Sequence, residues 1–159
     1  MKKTILFIFC VLAFTGIGVT AANGQNGRKS VSGTEVTGTF RHRFTGRFKG
    51  SSSDIKILAL GKNRLHIAMD LIYPYRMRNG ELMANTGVLD GKAAIMGDKA
   101  VYESKQFGTC KITIKFVQPG TIKVSQEGSD SDCGFGHNVS AAGTYRKISS
   151  KKPKFGLPK

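Results

Sequence analysis

The chain is short of acidic side chains and of the residues on which catalysis most often depends. Its 159 residues include 25 Lys and Arg but only 10 Asp and Glu, and it has three histidines and three cysteines. It contains no Gly-x-Ser-x-Gly nucleophile motif, no HExxH zinc motif and no phosphate-binding loop. We therefore expect a protein that is not an enzyme and that needs neither a metal nor another cofactor. The excess of positive charge favours an anionic partner.

The sequence also lacks a sustained helical pattern after residue 24. Short segments instead alternate apolar and polar side chains, as β-strands do, and turn signals separate them. Asn79-Gly80 predicts a hairpin, Pro119-Gly120 predicts the turn of another, and 85–87 and 90–91 are predicted as further turns. Short strands at this spacing are typical of an antiparallel sandwich or barrel.

Two similar strings favour the barrel over the sandwich. Gly38-Thr39-Phe40-Arg41 near the start is matched by Gly143-Thr144-Tyr145-Arg146 near the end. A closed sheet would make the first and last strands neighbours, and closure would also remove exposed strand edges. We predict an all-β, antiparallel up-and-down barrel of about eight strands, of the lipocalin-like, calycin type, over residues 34–148.

The N-terminal 24 residues have the features of a secretory signal peptide. Lys2 and Lys3 provide a basic start, the apolar run 5–14 is too short to span a bilayer, and small residues follow at 21, 22 and 24. An uncleaved anchor is the alternative. No other apolar stretch approaches membrane-spanning length, so we expect no transmembrane segment. We expect a bacterial protein that is periplasmic or secreted, with residues 25–33 as a flexible lead-in.

Cleavage would leave two cysteines. Cys10 is removed with the signal peptide, and Cys110 and Cys133 remain. In an exported chain an even pair predicts one disulfide. Two free thiols, or a metal-binding pair, are the alternatives. Zinc ligands would need further cysteines or histidines clustered nearby, and this sequence has no such cluster.

Residues 36–49 predict a strand with an aromatic face and a cationic face. Successive side chains of a strand point to opposite sides, so Phe40, Phe44 and Phe48 share one face, which we expect to be buried. The opposite face is expected to be exposed and provides the candidate anion-binding residues, which are Arg41, Arg43, Arg47 and Lys49. Nucleic acid is an unlikely partner in this scheme, because base stacking needs aromatic and cationic side chains on one face.

The remaining polar features suggest no catalytic site. His42 is expected in the core or at its rim, His66 on an exposed face and His137 in a glycine-rich loop. Residues 127–132 contain three carboxylates, but their spacing does not match a calcium-binding EF-hand loop, and an exposed acidic loop is the expectation. Residues 149–159 are lysine-rich, contain two prolines and predict a flexible basic tail that could tether the protein to an anionic surface.

Four segments near the C-terminus form a distinctive pattern, namely 110–116, 122–128, 132–136 and 143–147. Its most characteristic residues are Cys110, the Cys-Gly-Phe-Gly string at 133–136 and Gly143-Thr144-Tyr145. The pattern resembles the C-terminal region of small exported bacterial β-barrel proteins, some of them associated with lysozyme-inhibitor-like modules. The resemblance implies export, a barrel and a disulfide. The positive charge departs from an inhibitor of strongly basic lysozymes, because like charges oppose docking.

Together these features predict an exported, non-catalytic binding module. The cationic surface would hold an anionic envelope component such as an anionic lipid or glycan, and the interior or mouth of the barrel would hold a small apolar ligand. Two other classes are the alternatives: a protein inhibitor of an envelope-attacking enzyme such as a lysozyme, and a small hydrolase whose catalytic residues are brought together only by folding.

Overall fold

The computed structural model describes residues 30–156 and contains a closed eight-stranded antiparallel barrel, which confirms the predicted fold. The predicted signal peptide lies outside the described residues. Each strand pairs with the next in chain order, and the last strand pairs with the first. No helix in 30–156 is long and apolar enough to cross a membrane. The elements are α1 Gly33–Val36, β1 Gly38–Arg43, a 3-10 turn Gly46–Phe48, β2 Ser52–Gly61, β3 Arg64–Arg76, β4 Leu82–Met96, β5 Lys99–Ser104, β6 Cys110–Gln118, β7 Thr121–Glu127 and β8 Gly143–Ser149.

The two matching strings lie on neighbouring strands where the barrel closes. In the pairing of β1 with β8, Phe40 faces Lys147 and Arg41 faces Arg146. Each string begins with a glycine whose φ is positive, +147° at Gly38 and +153° at Gly143. Such φ values favour glycine, and a Cβ at Gly38 would also overlap the carbonyl oxygen of Ser149. The repeated glycine therefore serves the same backbone need at the start of both strands.

The core lies inside the barrel and follows the alternation of the strands. In β6, for example, Cys110, Ile112, Ile114 and Phe116 are buried while the residues between them are partly or fully exposed. The rings of Phe40 and Phe116 meet edge to face, with their centroids 6.4 Å apart. Burying an apolar side chain of this size contributes about 1.5–3 kcal/mol relative to leaving it in water, so this interior drives the closure of the sheet.

The barrel has two different ends. At one, which we call the capped end, α1 covers the opening and buries Val36, and the ammonium of Lys147 donates to the carbonyl oxygen of Thr37 at 2.9 Å. At the other, which we call the plug end, the loop 128–142 folds inward and buries Phe135, Val139 and Ala141. The interior is thus closed by chain at both ends.

The predicted disulfide is confirmed and fixes this loop to the barrel wall. Cys133 in the loop is bonded to Cys110 at the start of β6. The carboxylate of Asp130 accepts from the backbone N–H of Asn138, which is the main cause of the lowered pKa of Asp130. Hydrogen bonds from Ser129, first from its hydroxyl and then from its backbone N–H, lower the pKa of Asp132. The carboxylates of Asp130 and Asp132 therefore order the loop by accepting hydrogen bonds from its backbone N–H groups.

The turns predicted at 85–87 and 90–91 are wrong, because both segments lie inside the long strand β4. Their glycines face the interior, where larger side chains from other elements approach the backbone. A Cβ at Gly87 would lie 2.8 Å from the ring of Phe135, and one at Gly91 would lie 2.5 Å from the ring of Tyr102. These glycines make room for packing and do not turn the chain.

Candidate functional site

The hairpin of β3 and β4 forms an arm at the plug end. Its two strands stay paired from Tyr73 opposite Asn85 to Arg76 opposite Leu82, and the predicted Asn79-Gly80 turn closes the arm. Gly80 has a φ of +85°, which the turn requires. Four large apolar side chains of the arm are between 41% and 47% exposed and do not pack into the core. They are Tyr73, Met77, Leu82 and Met83.

The segment between β1 and β2 packs beside this arm. The predicted strand over 36–49 is too long: β1 ends at Arg43, and Gly46, with a φ of +59°, opens a 3-10 turn. Phe40 is buried as predicted, but Phe44 and Phe48 are only half-buried and do not join the core. They border a cavity of about 270 Å³ that is also lined by Arg47, Tyr73, Pro74, Tyr75 and Arg76.

Aromatic rings and guanidinium groups are in contact here. The Arg47 guanidinium lies 4.9 Å from the ring centroid of Phe48, within the range of a cation–π interaction. Phe44 meets His42 edge to face at 5.1 Å. The alternation seen in the sequence therefore does not separate an aromatic face from a cationic face beyond residue 43. Both kinds of side chain share one surface at the plug end.

The four candidate anion-binding residues have different surroundings. Arg41 is half-buried and forms two hydrogen bonds of 2.7 Å with the carboxylate of Asp54, which raise the pKa of Arg41. Its charge is already neutralised. Arg43, Arg47 and Lys49 are exposed. Within residues 30–156 no carboxylate lies within 4.0 Å of these three side chains, so their charges are available to an external anion.

The arm adds cations that the sequence did not single out. Arg76 donates to the carbonyl oxygen of Gly80 at 2.7 Å, and Arg78 is exposed beside the turn. We call the exposed cations of this end the arginine cluster, which consists of Arg43, Arg47, Lys49, Arg76 and Arg78.

We call the exposed apolar residues of the arm, named above, the apolar rim. The sequence contained one signal for this rim, because Met77, Leu82 and Met83 flank a turn, where polar residues are usual.

The histidines occupy separate places. His42 lies at the rim of the core, with its Nδ1 3.0 Å from the carbonyl oxygen of Thr144. His66 on the outer face of β3 is 2.7 Å from the carboxylate of Asp90, and the ring of Phe155 from the C-terminal tail stacks on it at 3.8 Å. His137 is exposed on the loop 128–142.

A groove lined by carboxylates lies beside His66 and bears on the hydrolase alternative. This groove of about 560 Å³ runs over the outer face of β2, β3 and β4 and is bordered by Gly156 of the tail. Its lining includes no hydroxyl or thiol that the His66–Asp90 pair could activate as a nucleophile. Among residues 30–156 no group of three or more His, Cys, Asp or Glu side chains is arranged to hold a metal ion.

The interior offers little support for the small apolar ligand. The largest fully buried side chains, among them Tyr145, Phe40 and Phe116, point into the barrel, and Phe135 and Tyr102 approach the backbone of β4 closely. The hydroxyl of Tyr145 is satisfied by the carbonyl oxygen of Ala141 at 3.0 Å. The plug end, with its exposed apolar and cationic side chains, is therefore the best candidate site in the described part of the chain.

No protein-family model, curated protein or solved structure matches this chain significantly, so the site must be interpreted from its own geometry.

Proposed function

We propose that the protein is an exported, non-catalytic binding module that holds an anionic, lipid-bearing component of the cell envelope at the plug end. The observation that carries the proposal is that the arginine cluster and the apolar rim share one surface. Cations alone would suit any polyanion, and apolar side chains alone would suit a buried protein contact. A surface that combines both suits the boundary between anionic headgroups and acyl chains.

The arrangement of charge supports this partner. Arg43, Arg47, Lys49 and Arg78 have no carboxylate within 4.0 Å among residues 30–156, and Glu81 is the acidic residue of the arm. Each Lys or Arg near an anionic bilayer contributes about 1 kcal/mol, and the attraction falls off within a Debye length. Arginine stems and tyrosine rings also tolerate a position between water and hydrocarbon.

Export is supported by the disulfide and by the basic, apolar N-terminal segment of the sequence. Disulfides form and persist in oxidising compartments, where envelope lipids and glycans are accessible. The bond fixes the plug loop to the start of β6 and so restrains this part of the plug end.

Co-sedimentation with vesicles tests the charge requirement. We expect the wild type to bind phosphatidylglycerol-containing vesicles more tightly than pure phosphatidylcholine vesicles, with affinity falling as salt rises. Reversal of two cluster charges, Arg47→Glu with Arg78→Glu, should lower the affinity more than tenfold, at about 1 kcal/mol per charge. The matched control is Lys62→Glu with Arg64→Glu, which makes the same charge change on exposed residues at the capped end. Equal loss in both variants would contradict the proposal.

Two apolar substitutions test the lipid requirement. Met77→Ser with Leu82→Ser should weaken vesicle binding about tenfold or more, because half-exposed side chains of this size gain on entering hydrocarbon. Leu60→Ser with Met96→Ser removes comparable exposed side chains at the capped end and should have little effect. If the rim variant binds vesicles and soluble dextran sulfate as the wild type does, the partner is an anionic glycan and not a lipid.

A further inference from the structure

Three lysines lie side by side across the outer face of β5, β6 and β7. In the strand register Lys99 is directly opposite Lys115, and Lys115 is directly opposite Lys123. All three are exposed, and neighbouring strands are about 4.8 Å apart, so the row places positive charges at close intervals. We call these three residues the lysine row. Like charges directly opposite each other destabilise a sheet, so the row is a cost to the fold.

The same strands avoid that cost two rows further along the same face. Glu103 is opposite Lys111, and Lys111 is opposite Glu127, so acid, base and acid alternate across β5, β6 and β7. The Lys111 ammonium lies 3.2 Å from the Glu127 carboxylate. The lysine row has no such compensation: among residues 30–156 no carboxylate lies within 4.0 Å of its ammonium groups, including that of the adjacent Asp98.

Hydroxyl groups accompany the row. Thr144 of β8 is opposite Lys123, and Thr113 is opposite Ser125 in the neighbouring row. These residues and the lysines line a shallow groove of about 470 Å³, whose remaining lining residues are Val124 and Gly143. Ammonium groups and hydroxyls both donate to phosphate oxygens, and lysine suits phosphate as a point charge. The lining contains no aromatic ring for stacking a base and no large exposed apolar side chain for entering a membrane.

We propose that the lysine row and its hydroxyls form a second binding site, for a linear phosphate-bearing polyanion that runs across the strands. The three charges favour a ligand with several negative groups at short intervals over a single phosphate. The site lies near the capped end, because Lys99 follows the β4–β5 turn and Lys123 follows the β6–β7 turn. It is separate from the plug end and does not depend on the function proposed for that end.

The substitution Lys115→Glu gives two opposite effects that a solvated surface lysine would not give. It converts the row to base, acid and base, so the midpoint of thermal unfolding should rise by about 2–4 °C. The affinity for linear inorganic polyphosphate should fall by about tenfold or more. The slope of log affinity against log salt concentration should decrease in magnitude by about 1 or more, because fewer counterions are released on binding. Lys105→Glu, which makes the same charge change in the exposed β5–β6 loop, is the matched control.

The binding arms distinguish the sources of the effect. Polyphosphate is compared with orthophosphate, with a single-stranded oligonucleotide and with phosphatidylglycerol vesicles, in isothermal titration or sedimentation at several salt concentrations. We expect polyphosphate to bind most tightly and to be the ligand that Lys115→Glu affects most. Lys115→Gln provides a neutral variant if the reversal disturbs folding. Equal losses in Lys115→Glu and Lys105→Glu, or equal affinity for orthophosphate and polyphosphate, would overturn the proposal.

Discussion

At the scale of the residue, burial and not residue type decides what each side chain of the first strand contributes. Phe40 is 1% exposed inside the barrel, Phe44 is half-buried at the plug end, and Arg43 is exposed. Truncating a fully buried Phe typically costs about 3–5 kcal/mol, whereas an exposed Arg usually changes stability by less than about 0.5 kcal/mol.

We therefore expect the loss of unfolding free energy to decrease from Phe40→Ala to Phe44→Ala to Arg43→Ala. Denaturant unfolding of the three variants measures it. A loss for Phe44→Ala as large as that for Phe40→Ala would mean that Phe44 belongs to the core, and that the plug-end cavity described above is not an open surface.

The plug loop should make stability depend on acid. Hydrogen bonds lower the pKa of Asp130 and Asp132 in the folded protein. A carboxyl with a lowered folded pKa contributes stability above its unfolded pKa, near 4, and loses that contribution as pH falls through the folded pKa. The difference in stability between the wild type and Asp130→Asn with Asp132→Asn should therefore be larger at pH 7 than at pH 3. Equal differences at both pH values, measured by denaturant unfolding, would contradict this.

At the scale of the element, the disulfide holds the plug loop against β6. The bond joins residues 23 apart and so restricts the unfolded chain. By loop-closure entropy, a model-dependent argument, its removal should cost roughly 3 kcal/mol. Unfolding of Cys110→Ser with Cys133→Ser, compared with the wild type before and after reduction, measures the cost. Intact-mass analysis that found two alkylatable thiols in the native protein would contradict the bond itself.

In the described part of the C-terminal tail, the ring of Phe155 stacks on His66, a contact that the sequence did not reveal. Phe155 lies on His66, more than eighty residues away in the chain by their numbers. His66→Ala should release the tail and speed trypsin cleavage after Lys154. The substitution does not alter the sequence around Lys154, so a faster rate reports on the release of the tail. His137→Ala, at an exposed histidine on the plug loop, is the control. Equal cleavage rates in the wild type and His66→Ala would show that the stack does not hold the tail.

Local patterns predicted most elements, and non-local contacts account for the errors. Asn79-Gly80 and Pro119-Gly120 mark turns that the strands on both sides require, and the repeated Gly-Thr string correctly indicated closure. Gly87 and Gly91 suggested turns because nothing in their neighbourhood shows that Phe135 and Tyr102 will pack against them. The apolar and polar side chains of 44–49 also alternate, but this segment is a loop. Such a pattern can occur in a loop by chance, so it does not by itself show a strand.

At the scale of the whole molecule, the unequal distribution of charge determines the function we propose. The chain has 10 acidic residues for 25 basic ones. Several of these acids are already used: Asp54 pairs with Arg41, Asp90 with His66, Glu127 with Lys111, and Asp130 and Asp132 order the plug loop. Among residues 30–156 no carboxylate pairs with the cations of the arginine cluster or of the lysine row. Which basic side chains lack a carboxylate partner could not be predicted from composition, because only the fold shows which charges are neutralised.

Hydrogen–deuterium exchange with and without phosphatidylglycerol vesicles tests the central claim most directly, namely that the plug end is the binding surface. We predict that vesicles slow exchange in peptides covering 44–50 and 76–83, where the arginine cluster and the apolar rim meet. Peptides covering the capped-end turn at 61–64, which lies outside both proposed sites, should exchange at the same rate in both conditions. Protection at the capped end or along the barrel wall, with the arm unchanged, would contradict the account.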